Sequence, residues 1–257
     1  MYNGKTVSVV MPAYNEEKGI ATVVSSFLRI PEVDQAIVVD NNSGDRTAEL
    51  AAAAGATVVR EERRGYGYAS QTALRSTNSD YVIIVESDVT FRAEDVRKFL
   101  AYAEDFDVVF GSRTSKSCIW EGSNMGPFLR YGNWAVGKLL EYVHNGPCLT
   151  DVGCTYKLLR REALQFLIPM FTVGRSHFSP ELMILAIRSR LNCVEIPVHY
   201  GPRTGTSKIT GSFWKAFRLG LRMIAMIVRY RFRHIPSSIP ATQSMPRRAI
   251  AKNAVGD

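Results

Sequence analysis

Five short runs constrain this chain more than any other feature: VSVVM (7–11), AIVVD (36–40), TVV (57–59), YVIIVESD (81–88) and DVVFGSR (107–113). Each is rich in β-branched residues and apolar at consecutive rather than alternate positions, so both faces of each strand must be covered. Segments with helical periodicity lie between them. In the first, Asn15 is placed to cap, Glu16 and Glu17 sit at the positive helix end, and Ile20, Val23, Val24, Phe27 and Leu28 form one apolar face. TAELAAAA, closed by Gly55, YASQTALRST and residues 93–103 supply three more helices. Strands alternating with helices predict an α/β fold with a single, mostly parallel, doubly wound sheet and helices on both faces. The second half is less regular: FLRYGNWAVGKLLEYVHN reads as helical, TDVGCTYKLLRR as extended then helical, SPELMILAIRSR as helical, and CVEIPVHY (193–200) as a late strand. With 257 residues and 46% hydrophobic content, one substantial core plus a short appendage is expected.

Charge is distributed unevenly. The net charge is +8, yet from Arg203 onward 11 Lys or Arg face a single acid, Asp257, and the first 202 residues are slightly acidic. Such a segment is either a solvated basic tail or a surface facing phosphates, anionic lipid or nucleic acid. It carries no RNA-binding motif or aromatic stacking platform, so no nucleic-acid partner is expected. Cys118, Cys148, Cys154 and Cys193 lack metal-site spacing and fit reduced cytosolic thiols. The opening MYNGKTVSVVMP is unlike a signal peptide, and no uncharged apolar run reaches 18 residues, so a cytoplasmic location without a membrane span is expected.

In an open parallel sheet, ligands bind at the carboxyl ends of the strands. Three such ends here carry polar clusters: MPAYNEE, VVDNNSGDRT and VESDVTF. One Asp after a strand is ordinarily a turn or cap, whereas several acids on one rim need a common explanation. Asp40, Glu86 and Asp88 would converge on one cleft, where a cation or a donor-rich ligand must neutralise them. Alternation places Glu86 and Asp88 on the same side, within reach of one divalent ion that bridges to a leaving diphosphate.

The ordered series PAYNEE, VVDNNSGDRT, RRGYGYA, VESDVTF, VFGSR, DVGCTYKLLRR and IPVHYGPRTGTSK resembles the family 2 glycosyltransferases of the GT-A fold over roughly residues 5–210. It is most similar to their polyprenyl-phosphate branch, typified by dolichyl-phosphate mannose synthase. The resemblance implies transfer of a sugar from a GDP- or UDP-linked donor to a lipid phosphate, with Mg²⁺ or Mn²⁺ as cofactor. Carried over by position, Pro12, Ala13, Tyr14, Glu16, Asp40, Asn41, Gly67 and Ser87 would hold the nucleotide sugar, with Gly65, Tyr66 and Ala69 beside Gly67 in a glycine-rich turn. Glu86 and Asp88 would bind the metal; Glu86 departs from the usual Asp. Arg113 would hold phosphate in a bidentate grip, or else be a surface strand end. Arg203, Ser207 and Lys208 match a loop that closes over donor and acceptor phosphates. Asp151 falls at a catalytic position of the branch, and a purely structural role stays open. Cys154 and Lys157 replace the residues usual there.

Three units are expected: a transferase domain over 1–211, an amphipathic helix over 212–235, and a disordered basic tail over 236–257. Lys215, Arg218, Arg222, Arg229 and Arg233 fall on one helical face, with Trp214, Phe217, Leu221, Ile224 and Phe232 among the residues of the others. This predicts peripheral association with an anionic cytoplasmic membrane surface; a packing helix or homo-oligomer interface is the alternative. A phosphate acceptor ionises unaided near neutral pH, whereas a hydroxyl acceptor requires a carboxylate base, for which Asp151 is the candidate. The ESD sequence also leaves open a catalytically weak sugar-nucleotide-binding protein.

Overall fold

The structure, a computed structural model, describes residues 1–123, 126–202 and 213–236. Its centre is a seven-stranded sheet built from β1 (Val7–Ala13), β2 (Gln35–Asp40), β3 (Thr57–Arg60), β4 (Tyr81–Ile84), β5 (Val108–Ser112), β6 (Lys157–Arg160) and β7 (Cys193–Pro197), in the order β3-β2-β1-β4-β6-β5-β7. β1 pairs in parallel with β2 and β4, β2 with β3, and β5 with β7. β6 runs antiparallel to both its neighbours.

Eight α-helices are described, besides three single 3-10 turns: α1 (Ile20–Leu28), α2 (Thr47–Ala53), α3 (Tyr66–Arg75), α4 (Val96–Tyr102), α5 (Pro127–His144), α6 (Arg161–Leu167), α7 (Phe178–Arg188) and α8 (Phe213–Phe232). Alternate strand residues feed two separate cores. Val9, Met11, Val38 and Ile83 pack with Val24, Phe27, Phe99 and Leu100 from α1 and α4. Val10, Ile37, Val39 and Ile84 pack with α3, α6 and α7 on the opposite face. The sheet is doubly covered, which accounts for the uninterrupted apolar runs.

Several expectations are corrected. Asn15 does not cap α1, which starts five residues later behind Gly19. Instead Asn15 adopts φ 54°, accepts from the Gly44 N–H at 2.8 Å and donates its own N–H to Ser43. β4 stops at Ile84, so Glu86 and Asp88 stand on the loop beyond it rather than on strand alternation. The single, mostly parallel sheet is as expected, with one antiparallel strand, KLLR, between β4 and β5.

α8 lies along α5 and α7 and buries Met223, Met226, Ile227 and Tyr230 in the second core. His144 donates from Nε2 to the Ile227 carbonyl at 3.1 Å. Burial, reinforced by Arg188 and Arg231, pulls the His144 pKa down to about 4. Arg188 donates to the carbonyls of Tyr230, Arg231 and Arg233, which satisfies acceptors that a helix end leaves open. The outer side exposes Trp214, Phe217, Leu221, Val228 and Phe232 together with Arg218, Arg222 and Arg229. No described helix is long and apolar enough to cross a membrane.

Candidate active site

The strand directions bring the polar segments to one rim. β1, β2 and β4 end there, and so do β5 and β7. Because β6 runs the opposite way, its entry, residues 151–156, arrives at the same edge. The antiparallel strand is therefore what delivers the DVGCT segment to the cleft. A cavity of about 740 Å³ opens along this rim.

One end of the cavity is lined by Pro12, Ala13, Tyr14, Glu16 and Asn41. The 14–16 loop is pinned from below: Glu16 N–H donates to Thr47 Oγ1 at 2.8 Å, alongside the Asn15 bonds to Ser43 and Gly44. Asn41 lies on the wall, but its side chain is engaged with backbone. Its amide donates to the carbonyls of Glu61 and Arg63, and its oxygen accepts from Gly65 N–H at 2.8 Å. It thereby sets the path of the glycine-rich turn. Asp40 is buried, accepts from the Ser43 N–H at 3.3 Å, and is not among the cavity-lining residues. Gly67 also lies behind the wall; a Cβ there would meet the Val173 carbonyl oxygen.

Glu86, Ser87 and Asp88 line the middle of the cavity. Ser87 Oγ donates to the Pro12 carbonyl at 3.1 Å and locks the turn to β1. Asp88 is 3% exposed, and its Oδ1 accepts from Thr90 N–H and Oγ1, so the following threonine fixes its orientation. Between them Val89 has φ 65°, a conformation that a β-branched side chain ordinarily avoids. Its methyl group sits over Gly19, where a Cβ would stand only 3.0 Å away. Such outliers persist only where the surroundings over-determine them, as at ligand-binding turns.

Arg113, 8% exposed, lines the same cavity. Asp151 grips it from behind. The carboxylate accepts from Arg113 main-chain N–H and Nε at 2.9 Å and from a terminal nitrogen at 3.0 Å, and also from Gly153 N–H. Burial would raise the Asp151 pKa, but the guanidinium outweighs it and holds the carboxyl below its ordinary value. Asp151 is fully buried and is not a lining residue, so it faces Arg113 rather than the cleft. Lys157 is buried beneath this floor, donating to the Cys154 carbonyl and to Ser179 Oγ, and burial pulls its pKa down to about 8.

Some lining residues escaped the sequence reading. Tyr200 packs its ring 5.1 Å from the Arg113 guanidinium. Its pKa is pushed up to about 12, chiefly by burial, with Glu86 and Asp88 adding and Arg113 opposing. Its position at the start of the Gly/Thr/Ser-rich loop was the available signal. Arg64 lines the cavity beside Gly65. Packed against each other, α5 and α8 add an apolar lining of Phe128, Leu129, Val136, Leu219, Met223 and Ile224. Arg203, Ser207 and Lys208 lie outside the described residues.

A mixed, doubly covered sheet whose strand ends gather an acidic turn and a buried arginine into one cavity is the arrangement of a nucleotide-sugar transferase of the GT-A type. The profile of "Glycosyl transferase family 2" matches residues 8–167, and the chain belongs to that family. It is a glycosyltransferase. The dolichyl-phosphate hexose transferase of Haloferax volcanii is 32% identical over 210 residues, covering 81% of this chain and 88% of that protein. The mouse dolichyl-phosphate beta-glucosyltransferase is 26% identical over 252 residues, covering 88% and 76%. In fold, the chain is similar to glucosyl-3-phosphoglycerate synthase from Mycobacterium tuberculosis, crystallised with Mn²⁺, UDP and phosphoglyceric acid. That match has a TM-score of 0.70 at 23% identity and covers 91% of this chain and 81% of the other.

Proposed function

We propose that this protein transfers a hexose from a nucleoside-diphosphate sugar to a polyprenyl phosphate, with inversion, at a membrane surface. The observation that carries the reading is the mixed lining of one cavity. Its lining residues at 12–16 and 86–88 suit a sugar nucleotide; those of α5 and α8, largely apolar, suit the hydrocarbon of a lipid acceptor; Arg113 lies in the same cavity. The names of the Haloferax and mouse relatives support the same acceptor class.

Among the described residues no three His, Cys, Asp or Glu side chains group closely enough to enclose a metal. Glu86 and Asp88 on one wall instead suit a cation that completes its shell with diphosphate oxygens and water, as Mg²⁺ and Mn²⁺ do. Such an ion would neutralise charge on the departing diphosphate. The remaining work falls to the chain. Thr90 orients Asp88, and Ser87 fixes the turn on which both acids stand. Arg113, held charged and oriented by Asp151, presents donors to phosphate. Asp151 serves as its positioning residue. A buried carboxylate already taken by arginine is a poor general base, which favours a phosphate acceptor that needs none. The exposed aromatic residues of α8 and α5, including Trp214, Phe232, Tyr131 and Trp134, support docking on a lipid interface.

A donor screen tests the proposal. Purified protein with Mg²⁺ or Mn²⁺, anionic vesicles containing polyprenyl phosphate, and labelled GDP- and UDP-sugars is expected to yield a lipid-soluble product. Transfer only to soluble hydroxyl acceptors would overturn it.

A further inference from the structure

Glu181, on α7, is fully buried and is absent from the chemistry described so far. Its carboxylate accepts from the main-chain N–H of Thr172 at 3.0 Å and of Val173 at 2.9 Å, and from Thr172 Oγ1 at 2.6 Å. The fourth donor comes from α8: Tyr230 OH donates at 2.6 Å. Thr172 Oγ1 and Tyr230 OH are themselves 3.0 Å apart, and Arg233 donates to the phenol from the helix end. One buried acid thus ties together a loop and a helix that are far apart in sequence.

The loop it holds is the backing of the glycine-rich turn. Gln71 Nε2 donates to the Val173 carbonyl at 3.0 Å, and Tyr68 N–H to the Gly174 carbonyl at 3.3 Å. The contact leaves no room on either side. A Cβ on Gly65 would lie 2.2 Å from the Gly174 oxygen, and one on Gly67 would lie 2.2 Å from the Val173 oxygen. A Cβ on Gly174 would lie 2.2 Å from the Tyr68 ring. Two stretches of backbone in such contact cannot shift independently. The front of that turn, at Arg64, Gly65, Tyr66 and Ala69, is wall of the cavity assigned to the sugar nucleotide.

We infer that Glu181 is a positioning residue for the donor pocket: it presses the 172–175 loop against the Gly65–Tyr68 turn and, through Tyr230, makes the set of that wall depend on how α8 is seated. The inference rests on the donor assignment proposed above. Its physical content is a chain of direct contacts from the helix with the exposed apolar face to the wall that receives nucleotide. A perturbation at one end is therefore felt at the other, and by linkage the reverse holds as well.

The test uses the full chain carrying Tyr230→Phe, which loses one hydroxyl and keeps the ring in the core, and Glu181→Gln, which sets an NH₂ group among donors. Val96→Ala, in the opposite core, serves as the destabilised control. UDP and GDP with Mn²⁺ are the probes. Tyr230→Phe is expected to raise the nucleotide Kd and donor KM roughly tenfold, the ratio that about 1.4 kcal/mol represents. kcat at saturating donor should stay near wild type, with Glu181→Gln more severe and Val96→Ala unchanged in both constants. Amide hydrogen exchange at residues 65–71 should accelerate in the two variants and not in the control. Unchanged Kd and unchanged exchange at 65–71, with only the melting temperature lowered, would overturn the inference. If the wild type binds neither nucleotide, the donor assignment falls; the exchange comparison, which needs no nucleotide, still decides whether Glu181 holds the turn.

Discussion

Replacing Asp151 by Asn removes the charge that faces Arg113 while keeping the side-chain shape. The pair is deeply enclosed, with side-chain exposures of 10% for Arg113 and 0% for Asp151, and three N–H donors of Arg113 converge on the two carboxylate oxygens. Breaking such a pair by removing one partner costs about 3–5 kcal/mol, because a buried charge is left uncompensated. For a domain of this size that corresponds to a melting-temperature loss on the order of 10 °C. Replacing both partners together, Arg113→Met with Asp151→Leu, leaves no orphan charge and should recover most of the loss. Activity should behave differently. Both variants should lose sugar transfer, the single because the guanidinium is no longer aimed, the double because it is gone. The measurements are thermal unfolding and turnover of labelled donor, made in parallel on the wild type, the single variant and the double variant. A double variant that transfers sugar at near wild-type rate would refute the assignment of Arg113 to phosphate. A wild-type melting temperature in Asp151→Asn would refute the energetic reasoning.

Asp88→Asn should abolish turnover at limiting metal with little change in melting temperature, whereas Glu86→Asp should be tolerated better than Glu86→Gln; metal-titrated activity assays check both. Reversing the exposed Arg218, Arg222 and Arg229 to Glu should release the protein from anionic vesicles, since each cation near such a surface contributes about 1 kcal/mol. In a co-sedimentation assay, lipid transfer should fall with binding while donor hydrolysis in solution persists. His144 should give stability a pH slope. The unfolded imidazole takes up its proton near 6.5 and the folded one only near about 4, so stability is lost as the pH falls through that window. The loss should reach about 2 kcal/mol after allowing for partial solvation, and His144→Gln, which still donates to Ile227, should flatten it in denaturant titrations at pH 7 and pH 4.5.

The sheet was legible because strands covered on both faces leave an unbroken apolar trace, and the acidic ends of those strands told which rim to inspect. β6 was harder: it is four residues long, contains a buried lysine, and runs straight into α6, so KLLRREAL reads as helix by period alone. Asn15 looked like a cap because asparagine serves both as N-cap and at positive φ, and local sequence does not separate the two. The roles of Asp151 and Asn41 depend on partners 38 and 20 to 24 residues away, contacts that no spacing rule exposes. Burial of the inner face of α8 was hidden for a related reason. Both its faces carry apolar residues, and only the packing decides that Ile227 and Tyr230 turn inward while Val228 and Phe232 do not.

Val89 has a consequence for any attempt to make this protein more robust. A screen for thermal stability alone would favour Asn at this position, because asparagine accepts the left-handed backbone that valine resists. The gain, on the order of 1 kcal/mol, would exceed what most surface changes offer. The same substitution would remove the methyl group lodged over Gly19 and free the turn that carries Glu86 and Asp88. Improved variants recovered without an activity filter would therefore converge on a loosened acidic turn. A library selected for heat resistance and then sorted for transfer should show the two properties diverging first at this residue.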